Sequence, residues 1–198
     1  MEGQGLGQPM VEFNAELLKN VQDFYSAAFG KMVDIGNLKV LPQPDQDPEK
    51  PTEYALLVVL KGMTLKEIVK ANKSECKIIL DPRLDLSIME IKSPGEIYRN
   101  TTAWMIDSAE PDRLVGRQSD LNRHGIGSIS ECLIQAIEFH YRTGKYMNHA
   151  RPTISASYVV VKGNICPLII RFDRGGLFVT YTDKNTIGGG RLVYNQIW

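Results

Sequence analysis

The chain has 198 residues with 23 basic and 23 acidic side chains, so it carries no net charge and no global pull toward nucleic acid or membrane. Its 43% hydrophobic content is that of an ordinary folded chain long enough to bury a substantial core. Cys76, Cys132 and Cys166 are odd in number and unpaired in spacing, which argues against a disulfide framework and for a reducing compartment. No apolar run approaches the roughly 20 residues of a membrane span and no segment has signal-peptide character, so a cytoplasmic protein without a transmembrane segment is expected. If a virus makes it, the place is the host cytoplasm. Charge is uneven along the chain: residues 1–100 hold 12 basic against 15 acidic groups, and the remainder 11 against 8.

Taken in order, residues 1–10 are rich in Gly and Gln and read as a flexible N-terminal arm, either a plain frayed terminus or one that orders only on contacting a neighbouring subunit. Residues 11–198 read as a single α+β domain. The spacing of Leu17, Val21, Phe24, Tyr25 and Ala28 predicts a helix, capped by Asn14 and stopped by Gly30. A Pro-rich acidic loop follows at 42–51. The continuous apolar run 54–60 predicts a central strand buried on both faces. Thr64 and Glu67 then frame a short helix to about Ala71.

"CKIIL" and "LDLSIMEIK" read as two strands joined by the turn Asp81-Pro82-Arg83, and residues 100–106 as a further strand. A second capping box, Ser128 with Glu131, opens the clearest element, a helix with Ile129, Cys132, Leu133, Ala136, Ile137 and His140 on one face and Gly144 at its end. His140 and Cys132 read as core residues on that stripe. Four strand-like runs follow, "TISASYVVVK", "CPLIIRF", "LFVTYT" and "RLVYNQIW", with short glycine-bearing links that favour a C-terminal antiparallel β-meander. The class is α+β: two main amphipathic helices, a central β region and the meander.

Three stretches carry candidate chemistry. Asp81 at the end of one run, with Glu90 and Lys92 two apart on the next, resembles the PD-(D/E)xK nuclease family over about twelve residues. That resemblance implies Asp81 and Glu90 holding Mg2+ or Mn2+ while Lys92 polarises the attacking water, with Asp81, Glu90 and Lys92 as the catalytic set. The same Glu90 and Lys92 also suit a solvent-facing pair on an edge strand.

Between Glu138 and Asp173 there are no acids. Arg142, Lys145, Tyr146, His149 and Arg151 are concentrated at one helix end, where basic groups beside aromatics suit phosphate contact and base stacking, as single-stranded RNA requires, or an anionic surface. Cations are also favoured at any helix C-terminus by its dipole. Finally, Arg117, Arg123 and His124 precede a Gly-x-Gly loop opening the Ser128 helix, an arrangement that could cradle an anion; it lacks the spacing of a nucleotide P-loop. No zinc-ligand spacing and no nucleophile elbow is present.

The leading expectation is a non-catalytic structural, assembly or interaction protein, of the kind a virus encodes. It would self-associate or bind another protein, need no cofactor, and use a basic-aromatic surface for nucleic acid or an anionic surface. The alternative is the metal-dependent nuclease.

Overall fold

A computed structural model describes residues 15–33, 54–93, 101–106, 115–147, 151–190 and 193–197. The expected arm, the Asn14 cap, the loop at 42–51 and His149 lie outside the described residues.

The expected first helix is present as α1 (Ala15–Phe29), with Val21, Phe24, Tyr25, Ala28 and Phe29 buried. After β1 (Tyr54–Val59), Thr64 Oγ accepts from the Glu67 amide at 3.3 Å to open α2 (Leu65–Ala71). Then come β2 (Ile78–Leu80), β3 (Ile91–Lys92), β4 (Thr101–Ile106), β5 (Val115–Gly116) and α3 (Gln118–Leu121), with a 3-10 turn at Asn122–His124. The chain continues through α4 (Ile129–Thr143), β6 (Thr153–Val161), β7 (Asn164–Asp173), β8 (Gly176–Tyr181), β9 (Gly188–Gly189) and β10 (Val193–Ile197).

The strands form two sheets. A small antiparallel one has the order β1-β4-β10, and a mixed seven-stranded one the order β2-β8-β7-β6-β9-β5, with β3 also on β6. The fold class is α+β, as expected. Helix α4 lies between the sheets, touching β1 on one side and β6 and β7 on the other, with α1 and α2 beside it. Its position explains a departure from the expected single apolar face: eleven of its fifteen residues are buried, Ser130, Glu131 and Gln135 among them. Leu133, Ile134 and Ile137 are fully inaccessible, and burying each stabilises the fold by about 1.5–3 kcal/mol.

The meander β6-β7-β8 is antiparallel, as expected. Both its hairpins close on two-residue turns, Lys162-Gly163 and Arg174-Gly175, with all four residues at positive φ. Such turns match the twist of paired strands.

Three strand expectations are corrected. Among the described residues the run 54–60 is not central: β1 pairs there only with β4, at the edge of the small sheet, and its burial comes from α4 and from α1, whose Tyr25 hydroxyl donates to the Val58 carbonyl at 2.5 Å. Being wholly enclosed, that Tyr25 phenol is pushed well above its ordinary pKa by burial.

Residues 84–92 are not a strand apart from Ile91 and Lys92. Asp85 accepts from the amide and hydroxyl of Ser87, at 2.9 and 2.6 Å, and the local turn prevails over the alternating pattern. Leu84, Leu86, Met89 and Ile91 reach the core from these turns.

The last run does not join the meander. The backbone at Gly188 and Gly190 passes so close to Ile154, Leu121 and Ile126 that a Cβ there would sit 2.7–2.8 Å from a side-chain carbon. This close passage forms β9, and β10 then pairs with β4 in the small sheet.

Candidate nucleic-acid interface

The nuclease constellation is not assembled. β2, which leads to Asp81, pairs only with β8 among the described residues, whereas β3 pairs with β6, so the hairpin expected to join them does not exist. Asp81 is taken up by structure instead. Its carboxylate accepts from the Arg83 guanidinium at 2.7 Å, the Arg83 amide at 2.9 Å and the Thr180 hydroxyl at 2.5 Å. The Arg83 guanidinium and these other donors hold the acid well below the usual carboxylate range, against the opposing effect of its burial. Glu90 and Lys92 pair with each other at 2.6 Å on the exposed surface. Among the described residues no three His, Cys, Asp or Glu side chains converge as a metal would need.

The expected anion cradle before α4 is filled from within. The Glu131 carboxylate accepts from the Ser128 amide at 2.7 Å, Ser128 Oγ accepts from the Glu131 amide at 3.3 Å, and Ser157 Oγ accepts from the Ile129 amide at 2.9 Å. The helix N-terminus thus already has its negative charge and its acceptors. Ser157 lies in an irregularity of β6, where pairing with β7 shifts between Ile154 and Tyr158. Carbonyls left over by that shift, those of Ser155 and Ser157, are met by the Gln118 amide nitrogen at 2.7 and 3.0 Å. Arg117 and Arg123 stand exposed outside this sealed network; His124 lies in the 3-10 turn.

The C-terminal end of α4 is different. His140 is buried, as expected, with its ring 4.4 Å from that of Tyr146. Tyr146 is not a free stacking platform: its other neighbour is Phe172 at 4.9 Å, and its hydroxyl donates to the Glu75 carbonyl and accepts from the Lys77 amide, each at 3.3 Å. Arg142 pairs with Glu138 at 3.1 Å and lies over Phe139. Lys145 and Arg151 are exposed.

By docking onto Phe172 and Lys77, Tyr146 brings Lys145 to one end of β7, β8 and β2. That end carries Arg171 from the acid-free stretch and two cations from outside it, Lys77 and Arg174. On the sheet face turned away from α4, Arg171 is opposite Phe178, which is opposite Ile79; Lys77 lies one step further along. The guanidinium carbons of Arg171 and Arg174 lie 5.2 and 5.9 Å from the Phe178 ring centroid. Arg83 lies over Tyr181 at the far side. Asp173 holds Arg171 at 3.2 Å and Asp81 holds Arg83, while Lys77 and Arg174 have no acidic partner among the described residues. Of Lys77, Arg83, Arg171 and Arg174, two are held by acids and two are not. Strand alternation in "CPLIIRF" and "LFVTYT" places Arg171 and Phe178 on the outer face, but their partnership with Lys77 needs the parallel pairing of β2 with β8, which no local pattern reveals.

A second feature is a cleft of about 570 Å³ between α1, the end of α4 and the edge strand β1, lined by Phe24, Leu56, Val58, Tyr141 and Arg142 among others. Because the Val58 carbonyl points away from β4 to meet Tyr25, alternation turns the main-chain groups of Leu56 the same way, toward the cleft.

Comparison with known proteins finds no matching family model, no similar curated protein and no similar solved structure. No helix among the described residues is long and apolar enough to cross a membrane.

Proposed function

We propose that this protein is a non-catalytic contact module whose basic-aromatic end binds the phosphate backbone of RNA. The observation that carries the reading is the placement of Lys77 and of the hairpin residues Arg171 and Arg174 around Phe178 at one end of the large sheet, with Lys145 following from α4 at the same end, where Tyr146 docks on Phe172. Exposed cations around aromatic rings suit a flexible anionic chain, since phosphates take the charge and bases the flat surfaces. Arg151, exposed just before β6, extends the positive surface, whereas Arg142 is held by Glu138 in the cleft beside α1 and β1; Arg117, Arg123 and His124 precede the sealed end of α4 and are secondary. Cys76, Cys132 and Cys166 are thiols outside any disulfide, which supports a reducing, cytoplasmic setting.

Fluorescence anisotropy with a labelled oligoribonucleotide, in Mg2+ and then in EDTA, tests this. Binding should leave the RNA intact, and for three or four phosphate contacts affinity should fall roughly 20- to 50-fold between about 50 and 200 mM salt. Binding insensitive to salt, or cleavage abolished by EDTA, would contradict the reading.

The edge strand supports a second contact, with protein. Residues 54–59, YALLVV, hold no charge and no proline, the devices that usually blunt an edge. A strand from a second copy or another protein would add beside β1 and meet the main chain of Leu56. Light scattering of the full chain against Leu56→Lys reads this; an oligomer that survives the change unaltered would remove β1 from assembly.

A further inference from the structure

We infer that Arg171, Arg174 and Phe178 form a base-stacking site for single-stranded nucleic acid on the outer face of β7 and β8. The inference rests on the RNA-binding reading above and assigns the ligand's bases, rather than its phosphates, to a particular place.

Phe178 is an aromatic residue on a sheet face turned away from α4, yet only 7% of it is exposed. Its cover includes the two guanidiniums, at 5.2 and 5.9 Å from its ring. Both arginines are exposed, so each guanidinium is reached by the ring on one side and by solvent on the other. A nucleobase can take the solvent side, so that ring, guanidinium and base make a single stack. Bases in a duplex already stack on one another and cannot supply that surface, which makes the site selective for single strands.

Two further observations fit. Arg174 occupies a left-handed position, φ 52°, in the two-residue turn between β7 and β8, where Asn or Gly would avoid the steric cost. A long cation is thus held at a place that local backbone preference disfavours, and its side chain returns to Phe178. In charge, Arg171 is the only one of the nearby cations Lys77, Arg171 and Arg174 with an acidic partner among the described residues, so Lys77 and Arg174 are left for phosphates on either side of a stacked base. Arg171, even when held by Asp173, keeps donors to spare on its five N–H groups. A lipid surface fits less well, because the apolar residue at the centre lies beneath the arginines and has nothing to insert.

The test uses the full chain, a labelled single-stranded oligoribonucleotide, a hairpin duplex of the same sequence, and vesicles containing phosphatidylserine. The decisive variant is the double change Arg171→Lys with Arg174→Lys, which keeps both charges and removes both planar groups. It should weaken single-strand binding roughly tenfold with little effect on the salt dependence or on duplex binding. Arg174→Asn, which the turn accepts readily, should also lower the slope of log affinity against log salt by about 0.7, one phosphate contact. If the double variant binds the single strand like the wild type while Lys145→Ala weakens it, the stacking site is wrong and the RNA reading stands. If the wild type binds neither nucleic acid, or only the vesicles, both fail. Circular dichroism melts of each variant separate a lost site from a lost fold.

Discussion

The two ends of α4 treat polar groups in opposite ways. At the N-terminal end, Ser128, Glu131, Ser157 and Gln118 spend their hydrogen bonds on one another and on the backbone, and all four are buried. At the C-terminal end, Tyr146 locks the chain against β2 and β7, but Lys145 and the neighbouring Lys77, Arg171 and Arg174 remain exposed. Both ends looked like anion sites from composition. What distinguishes them is whether the protein already supplies the opposite charge: Glu131 does at one end, and at the other the acids are too few.

Several changes would break or sharpen that contrast. The largest effect is expected where α4 is most enclosed. Ile137→Ala, at a fully inaccessible position between the sheets, should cost about 2–5 kcal/mol in a denaturant melt. A cost below about 1 kcal/mol would mean that α4 is not the centre of the core.

Next comes the sealed end. Glu131→Ala removes the carboxylate from the Ser128 amide and should destabilise by about 1–2 kcal/mol while leaving RNA affinity unchanged. Loss of RNA binding with retained stability would reverse the roles assigned to the two ends.

Asp81 gives a pH test. Its folded pKa is depressed, so the stability it confers is fully present above the unfolded value of about 3.9 and is lost as pH falls through and below that value. Wild type should therefore exceed Asp81→Asn in stability at pH 7, with the gap closing as pH falls below about 4. A gap independent of pH would show that the Arg83 and Thr180 contacts do not depend on the ionised acid.

The smallest effect concerns thiols. Burial pushes the Cys76 thiol up to about 12, so Cys76 should resist alkylation at neutral pH while half-exposed Cys166 reacts first. Mass spectrometry of the labelled peptides reads the order.

The sequence was a good guide where a physical signal is local. Capping residues, helix stops and the two-residue hairpins depend on a few neighbouring side chains, and α1, α4 and the β6-β7-β8 meander were legible for that reason. It was a poor guide where the answer depends on which distant strand lies alongside. An apolar run such as YALLVV reports burial without saying whether strands or helices provide it, and among the described residues β1 has a strand on one side only. The alternation in "LDLSIMEIK" is real, but the Asp85 turn overrides it, and with it goes the nuclease geometry. The basic segment was half legible. Lys145 and Arg171 stood out in an acid-free stretch and Arg174 follows Arg171 through the local β7–β8 hairpin, whereas Lys77 joins them only through the pairing of β2 with β8.

The most direct measurement is hydrogen–deuterium exchange of the full chain with and without a single-stranded oligoribonucleotide. The account predicts new protection in peptides covering Lys77, Lys145–Tyr146 and Arg171–Phe178, with none at Gly127–Glu131. Protection at the sealed end, with the β7–β8 turn unchanged, would contradict it.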